Sequence, residues 1–310
     1  MKILPQDTKI DFIGKRMIAF AFSAFLIVAS LFLLATKGLN YGIDFTGGTL
    51  VEIKVPEAAP DLGKLRQGLN SLDLGGISLQ EFGAPDDLLI RMPEQEGDAE
   101  VQKQALIKLK TYLEGVFETV DYRRTEFVGP QVGEELKKQG MYAVLFSILG
   151  MLAYIWFRFE WQFSIAAIIA LVHDSLATIG LFALTQMEFN LSTVAAILMI
   201  AGYSINDTVV VFDRIRENLR KFKKMPIFEL LNNAINQTLS RTLMTSITTL
   251  LALLALWSFG GEVIRGFVNA LIFGIIIGTY SSIFVASPVL TFLNIRRGAA
   301  KKIKTEAETA

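Results

Sequence analysis

Long apolar runs, a charged and alternating insert after the first of them, and lysine and arginine confined to alternate connections predict the fold class. It is a polytopic α-helical membrane protein: six transmembrane helices with one small α+β extracytoplasmic domain. Apolar residues make up 52% of the 310, and mean hydropathy is +0.44, too high for a water-soluble domain of this length.

The polar, basic stretch 1–16 (Lys2, Lys9, Lys15, Arg16) leads into transmembrane helix 1, residues 17–36, long enough to cross about 30 Å of hydrocarbon. No small-x-small cleavage pattern follows it cleanly, so the run predicts an uncleaved helix and not a signal peptide.

Residues 37–140 change character and hold five of the eight prolines. Asn40 to Val55 opens with Gly42-Ile-Asp-Phe-Thr-Gly-Gly48 and continues as an alternating strand, Gly47-Gly48 allowing a tight entry into it. Leu62, Leu65 and Leu69 give Asp61–Leu72 a helical period. Ile77–Phe82 and Leu88–Met92 read as strands around a turn with Gly83, Pro85 and Asp86. Asp98–Phe117 is helical, with Val101, Ala105, Leu106, Leu109 and Leu113 on one side, and Val120–Val128 is a last strand. The order β-α-β-β-α-β is the split βαβ, or ferredoxin-like, motif.

After Gly129-Pro130 and an amphipathic piece (132–139), five further spans fill 141–294: 141–157, 163–184, 191–212, 242–258 and 267–294. Between the fourth and fifth lies an amphipathic connector, 213–240, with Met225-Pro226 starting a short helix; the tail is 295–310. With the N-terminus cytoplasmic, the inner segments 1–16, 158–160, 213–241 and 295–310 hold 17 Lys and Arg, against one in the short outer loops. That asymmetry predicts cytoplasmic termini, a cytoplasmic connector and an exported, periplasmic 37–140 domain.

Zero formal net charge gives no footprint for nucleic acid, the absence of cysteine removes disulfides and thiolate chemistry, and a single histidine rules out a multi-histidine metal site. No phosphate loop, hydrolase elbow or metalloprotease pattern occurs, so no enzyme, cofactor or metal is expected. The chemistry-bearing residues are intramembrane. A carboxylate at that depth costs a few kcal/mol and is ordinarily retained for a task. Asp207 lies about five residues, roughly 7–8 Å, from the inner end of the fourth span, and Tyr203 and Ser204 share its face. Asn206 adjoins it. Arg241 sits at the start of the fifth span beneath a stripe of Thr245, Thr248 and Thr249, so Asp207 and Arg241 are expected to meet. Burial would raise the pKa of such an aspartate and an arginine would lower it, which suits a titrating site; a static ion pair that fixes helix packing is the competing reading. Asp174, beside His173 in the third span, is a second candidate element of the ion path or an interhelical hydrogen-bonding group. The two point about 100° apart and are expected to face different neighbours. Gly202, Gly274 and Gly278 read as close-packing points. Asp213–Asn218 reads as a solvated helix end with an Arg214–Glu217 pair.

Gly42-Ile-Asp-Phe-Thr-Gly-Gly-Thr49, Leu171-Val-His-Asp174, Gly202-Tyr-Ser-Ile-Asn-Asp-Thr-Val-Val-Val-Phe-Asp-Arg-Ile-Arg-Glu-Asn218, Gln237-Thr-Leu-Ser-Arg-Thr-Leu243 and Ser281-Ser-Ile-Phe-Val-Ala286 closely resemble the SecF family. These are the smaller membrane subunits of the bacterial SecD–SecF protein-export accessory, within the resistance-nodulation-division superfamily. The resemblance implies a place in the bacterial inner membrane and partnership with SecD, the SecYEG channel, YajC and the translocating preprotein. It also implies use of the proton-motive force for late steps of translocation. The family's intramembrane acidic residue and arginine fall on Asp207 and Arg241, and SecD would supply another carboxylate. The proton/ion relay expected here is therefore Asp207, Arg241, Asn206, Ser204, Thr245 and Asp174. A carboxylate among hydroxyls serves H⁺ or Na⁺. Protonation of Asp207 would loosen its coupling to Arg241 and let the fourth helix shift against the fifth and sixth. A non-conducting scaffold for SecD, or half of a small-molecule or lipid exporter, are the rival functions.

Overall fold

The computed structural model describes residues 8–56, 60–95, 97, 99–293 and 295. Outside them lie most of the expected tail 295–310, residues 1–7 of the expected N-terminal segment, the expected helix start Asp98 and the expected last residue of the sixth span, Asn294. The chain divides into a helical unit (residues up to 40, 143–187, and 192 onward) and a small unit (41–142 with 188–191).

Helix α1 (Arg16–Thr36) belongs to the helical unit. The small unit begins with one helical turn, α2 (Ile43–Thr46), then β1 (Gly48–Lys54), α3 (Leu62–Asn70), β2 (Ser78–Phe82), β3 (Ala84–Met92), α4 (Ala99–Val116) and β4 (Asp121–Val128). The sheet order is β2-β3-β1-β4 with every neighbour antiparallel, so the predicted ferredoxin-like βαββαβ arrangement is the observed one. Alternation puts Val51, Ile53, Leu88 and Ile90 on one face, where Leu65 and Leu69 of α3 and Ala105, Leu109 and Leu113 of α4 close the core. Val101, expected on that side, is exposed. Asp61 caps α3, accepting from the backbone N–H groups of Gly63 and Lys64 at 3.0 and 3.1 Å, which hold its pKa below the usual carboxylate range. Gly47 and Gly48 both have positive φ, and a Cβ on Gly48 would lie 2.5 Å from the Met92 carbonyl, so the entry to β1 requires glycine. The one-turn α2 ahead of it was not foreseen.

The expected turn at Gly83-Pro85-Asp86 is shorter than predicted. Gly83, at positive φ, makes the reversal by itself, and β3 starts at Ala84. Glu81 pairs with Leu88 and Phe82 with Ala84, so Pro85, Asp86 and Asp87 form a bulge where a missing N–H does no harm. Lys54 fastens the bulge through Asp86 at 2.7 Å, which raises the lysine pKa and lowers that of the aspartate.

The helical unit continues with α5 (Pro130–Arg158), α6 (Trp161–Thr185), α7 (Leu191–Lys221), α8 (Ile227–Phe259) and α9 (Arg265–Ser281), followed by a π-helical turn (Ser282–Ala286) and the short α10 (Ser287–Val289). Counting α9 with its continuation, six helices among the described residues are long and apolar enough to cross a membrane, and the chain is a multi-pass membrane protein. Three spans run well past their expected bounds. The amphipathic 132–139 is the first part of α5, started by Pro130 at its first turn. The connector 213–240 is mostly the ends of α7 and α8, with only 222–226 between them before Pro226 starts the next helix. Strong helix formers on both sides let these spans extend past the apolar zone.

α6, α7 and α9 are half or more buried within the chain, whereas α1, α5 and α8 present most of their apolar side chains outward. α1 packs on α6, with a Cβ on Gly180 reaching 2.0 Å from Ser30 Oγ, and α9 packs on both α6 and α8. Phe163, Phe212 and Phe159 form an aromatic cluster at one end. There the segment before α1 folds back on α8: Asn232 Oδ1 accepts from the N–H groups of Phe12 and Ile13, both at 2.9 Å.

Candidate functional site

A polar seam runs through the apolar interior of the helical unit. On α6, Asp174 is 0% exposed. Its Oδ2 accepts from Ser204 Oγ of α7 at 2.5 Å and from Ser281 Oγ at the end of α9 at 2.7 Å. Oδ1 lies 2.9 Å from His173 Nδ1. Three helices therefore converge on one buried carboxyl group. Gly278 permits the convergence, because a Cβ there would lie 3.2 Å from Ser204 Cβ and 3.6 Å from Asp174 Oδ2.

The seam continues into the π-helical turn. Thr208 Oγ1 donates to Ser282 Oγ at 3.2 Å, Ser282 Oγ to the Gly278 carbonyl at 2.8 Å, and Ser287 Oγ to the Ser282 carbonyl at 2.9 Å. Pro288 supplies no N–H and its ring crowds the preceding turn, which accounts for widening of the helix there, with serine hydroxyls satisfying freed carbonyls.

One turn along α7 from Ser204, Asp207 is 2% exposed. Thr245 Oγ1 of α8 lies 3.5 Å from its Oδ1, and its buried Oδ2 has no hydrogen-bond partner among the described residues. An intramembrane carboxylate with an unused lone-pair face is expensive to maintain and open to a proton or a cation. On the outer side of the same helices is a cleft of about 370 Å³, lined in part by Asn206, Asp213, Gln237, Thr238 and Arg241.

Several expectations require correction. Asp207 and Arg241 come near enough for the guanidinium charge to act on the carboxyl, but among the described residues they form no ion pair: Arg241 is exposed in the interior of α8, on the cleft side, while Asp207 faces inward. Helix α8 starts fourteen residues before Arg241, so the arginine is not at a helix start where its side chain would curl toward α7. Ser204 serves Asp174 and not Asp207. Asn206 is exposed on the cleft side, about 100° around the helix from Asp207. His173 and Asp174 do contact one another, since a short carboxylate can turn back along its own helix to a flat ring. Thr248 donates to carbonyls of its own helix, at 2.8 and 3.0 Å, and adds nothing to the seam. The expected Arg214–Glu217 pair is present at 2.8 Å. Ser281, Ser282 and Thr208 were missed as site residues; three serines and a proline inside an apolar run were the available signal. Among the described residues no group of three or more His, Asp or Glu side chains is placed to hold a metal ion.

Comparison with known proteins places this seam in context. A family profile described as protein export membrane protein SecD/SecF, C-terminal, matches residues 108–296, and one described as the SecD/SecF GG motif matches residues 32–55, which include Gly47-Gly48. The protein translocase subunit SecF of Cereibacter sphaeroides is 45% identical over 97% of this chain and 95% of its own length. That of Rickettsia rickettsii is 46% identical over 98% of this chain and 97% of its own. Among solved structures, SecDF of Thermus thermophilus, described as a translocon-associated membrane protein, superposes with a TM-score of 0.86 at 37% identity, covering 95% of this chain. SecDF in a super-membrane-facing form gives 0.69 at 38% identity over 96%. The chain spans 40% of the length of each of these SecDF chains.

Proposed function

Because the chain belongs to the SecD/SecF family of protein-export membrane proteins, with full-length likeness to its SecF subunits, we propose that it couples an ion gradient to preprotein export. In this reading it sits in the bacterial inner membrane with both termini in the cytoplasm and the small unit outside. It pairs with SecD and works beside SecYEG and YajC. A further carboxylate would come from SecD. One elementary charge crossing the membrane is worth about 2.3 kcal/mol per 100 mV, enough to bias a two-state helix arrangement more than tenfold.

The observation that carries the reading is Asp207: buried in the fourth span, with one carboxylate oxygen unpartnered and only a long contact from Thr245 on the other. Protonation, or a Na⁺ ion, satisfies that oxygen. Arg241 and Asn206 line the adjacent cleft and would set the electrostatics of entry rather than bind Asp207 in the resting arrangement. Ser204, one turn away, links the helix of Asp207 to Asp174, which makes Asp174 a second station and joins α6, α7 and α9 to the charge state of the site.

The decisive experiment is Asp207→Asn in the assembled complex, read as ion-driven export in inverted vesicles under separate H⁺ and Na⁺ gradients. Export should fall at least tenfold while co-purification of SecD is kept; full export by the assembled variant would defeat the proposal. A second reading, a non-conducting scaffold for SecD, draws on the complete set of donors around Asp174. It requires instead that the variant lose its partner and its stability together.

A further inference from the structure

We infer that the cleft between the end of α5 and the last turns of α7 binds the phosphate headgroup of an anionic phospholipid. The cleft, of about 520 Å³, is lined by Arg158, Asp213, Arg216, Glu217, Arg220 and Lys221. Four cations face two carboxylates, and both carboxylates are already engaged. Asp213 accepts from Arg158 Nη2 at 2.8 and 3.0 Å, and Glu217 accepts at 2.8 Å from Arg214, which is not part of the lining. Among the described residues, Arg216, Arg220 and Lys221 make no ion pair.

Two of the cations are held in place. Phe159 is buried, and its ring carries the guanidinium of Arg158 at 4.9 Å and that of Arg216 at 5.2 Å. Arg216 Nη1 also donates to the Arg158 carbonyl at 3.2 Å. Basic residues at the end of α7 are ordinary complements to its helix dipole. Two arginines gathered on one ring, with Arg220 and Lys221 beside them and only Asp213 and Glu160 acting on Arg216 as counter-charges, go beyond that and leave room for an anion as the further complement.

The surroundings identify the source of the anion. The apolar run of α5 ends, and that of α6 begins, beside this cleft. Trp156, Phe157 and Trp161 are 71%, 96% and 56% exposed there, as interfacial aromatics are. From Trp161 an exposed apolar stripe continues along α6 through Ile165, Ile169 and Val172 at helical spacing. A headgroup in the cleft would lay its acyl chains on that stripe, and basic pockets between spans suit such lipids. A soluble phosphate would have no use for the stripe.

The test uses the full chain, with Trp257→Phe leaving Trp156 and Trp161 as the two tryptophans, excited selectively over the tyrosines, reconstituted in phosphatidylcholine bilayers. Dibrominated phosphatidylglycerol and dibrominated phosphatidylcholine are compared as quenchers at equal mole fraction. Phosphatidylglycerol should quench more strongly. That preference should fall about fivefold for each of Arg216→Gln and Arg220→Gln, survive the corresponding lysine substitutions, and weaken in high salt. Equal quenching by the two lipids, or a preference untouched by both glutamine variants and by salt, would overturn the proposal. So would abolition of the preference by millimolar inorganic phosphate, which would mark a soluble-anion site, or by an acidic peptide, which would mark a protein contact. The salt and competitor arms need no variant, so misfolding of a glutamine variant leaves the test intact.

Discussion

Ser204 on α7 donates its hydroxyl to Asp174 on α6 at 2.5 Å, across a point where Gly278 lets α9 bring Ser281 to the same oxygen. The third, fourth and sixth spans are thus tied at one buried carboxylate. Under the proposed role of Asp207, a shift of α7 would have to strain or break this knot.

Ser204→Ala and Ser281→Ala should each cost about 1 kcal/mol, within the range for interhelical hydrogen bonds in membranes. The double variant leaves Asp174 with His173 alone, so its cost should exceed the sum by about 1 kcal/mol. Denaturant unfolding in mild detergent, run as a double-mutant cycle, measures this. Asp174→Asn introduced into the double variant should restore part of the loss, because a neutral amide needs fewer donors than a carboxylate.

Gly274 and Gly202 should behave oppositely, although both were read from the sequence as close-packing points. A Cβ on Gly274 would fall 2.3 Å from Ile200 Cδ1 and 2.4 Å from Cγ1, whereas nothing lies within 4 Å of one on Gly202. Gly274→Ala should destabilise by about 1–3 kcal/mol, as overpacking does, and Ile200→Ala should relieve part of it. Gly202→Ala should leave the unfolding of the isolated chain unchanged. Because Gly202 is exposed near Asn206, the same substitution should weaken retention of SecD if that surface carries the partner helix. Thermal unfolding and co-purification separate the two effects.

This contrast shows what was legible in the sequence. Six spans, the order of strands and helices in the small unit, and the presence of Asp207 and Asp174 inside apolar helices follow from period and composition, which are local. The partner of each polar side chain depends on which face of α8 and α9 turns inward. Nothing in the spacing of Arg241, Thr245 and Ser281 states that. Arg241 was expected to meet Asp207 from its place at the start of the fifth span and from the family resemblance, yet α8 continues past it for several turns on its N-terminal side and holds it on the exposed face. A serine in an apolar helix commonly bonds its own i−3 or i−4 carbonyl, so its spacing does not reveal a second partner; Ser281 bonds Gly278 at 3.1 Å while also serving Asp174.

The clasp between the N-terminal segment and α8 should respond to pH. Asp11 Oδ1 accepts from the Gly14 N–H at 2.8 Å and from Asn232 Nδ2 at 2.7 Å, and these bonds hold its pKa below the usual carboxylate value. The ionised carboxylate is the form that binds. Its contribution is complete above the unfolded pKa of about 4 and disappears as pH falls through the lower folded value. Hydrogen exchange at the Phe12 and Ile13 amides should therefore be slow and, after correction for intrinsic rates, uniform from neutral pH down to about 5. Protection should decline only in more acidic solution. Asn232→Ala should remove the protection at every pH, and Asp11→Asn should remove only its acid-sensitive part.

In the small unit, Arg91 of β3 binds Glu188 at 2.6 Å with side chains only 12% and 19% exposed, so the four residues 188–191 are built into that unit. Just after Glu188 in the chain, the Phe189 carbonyl accepts from the Gly42 N–H at 3.0 Å and the Leu191 N–H donates to Asp44 Oδ2 at 2.8 Å. Glu188→Gln would leave a largely buried guanidinium without its counter-charge, a loss of about 1–3 kcal/mol for a pair still in touch with water. Local opening should rise roughly tenfold, seen as faster exchange of the Gly42 and Leu191 amides. Exchange at amides in the core strands β1 and β3 should stay at the wild-type rate, because their hydrophobic packing does not involve Glu188. Arg91→Met together with Glu188→Leu should recover most of the protection, since the apolar pair removes both charges at once. Failure of the double variant to recover would mean that the pair acts through its hydrogen-bond geometry and not through charge balance.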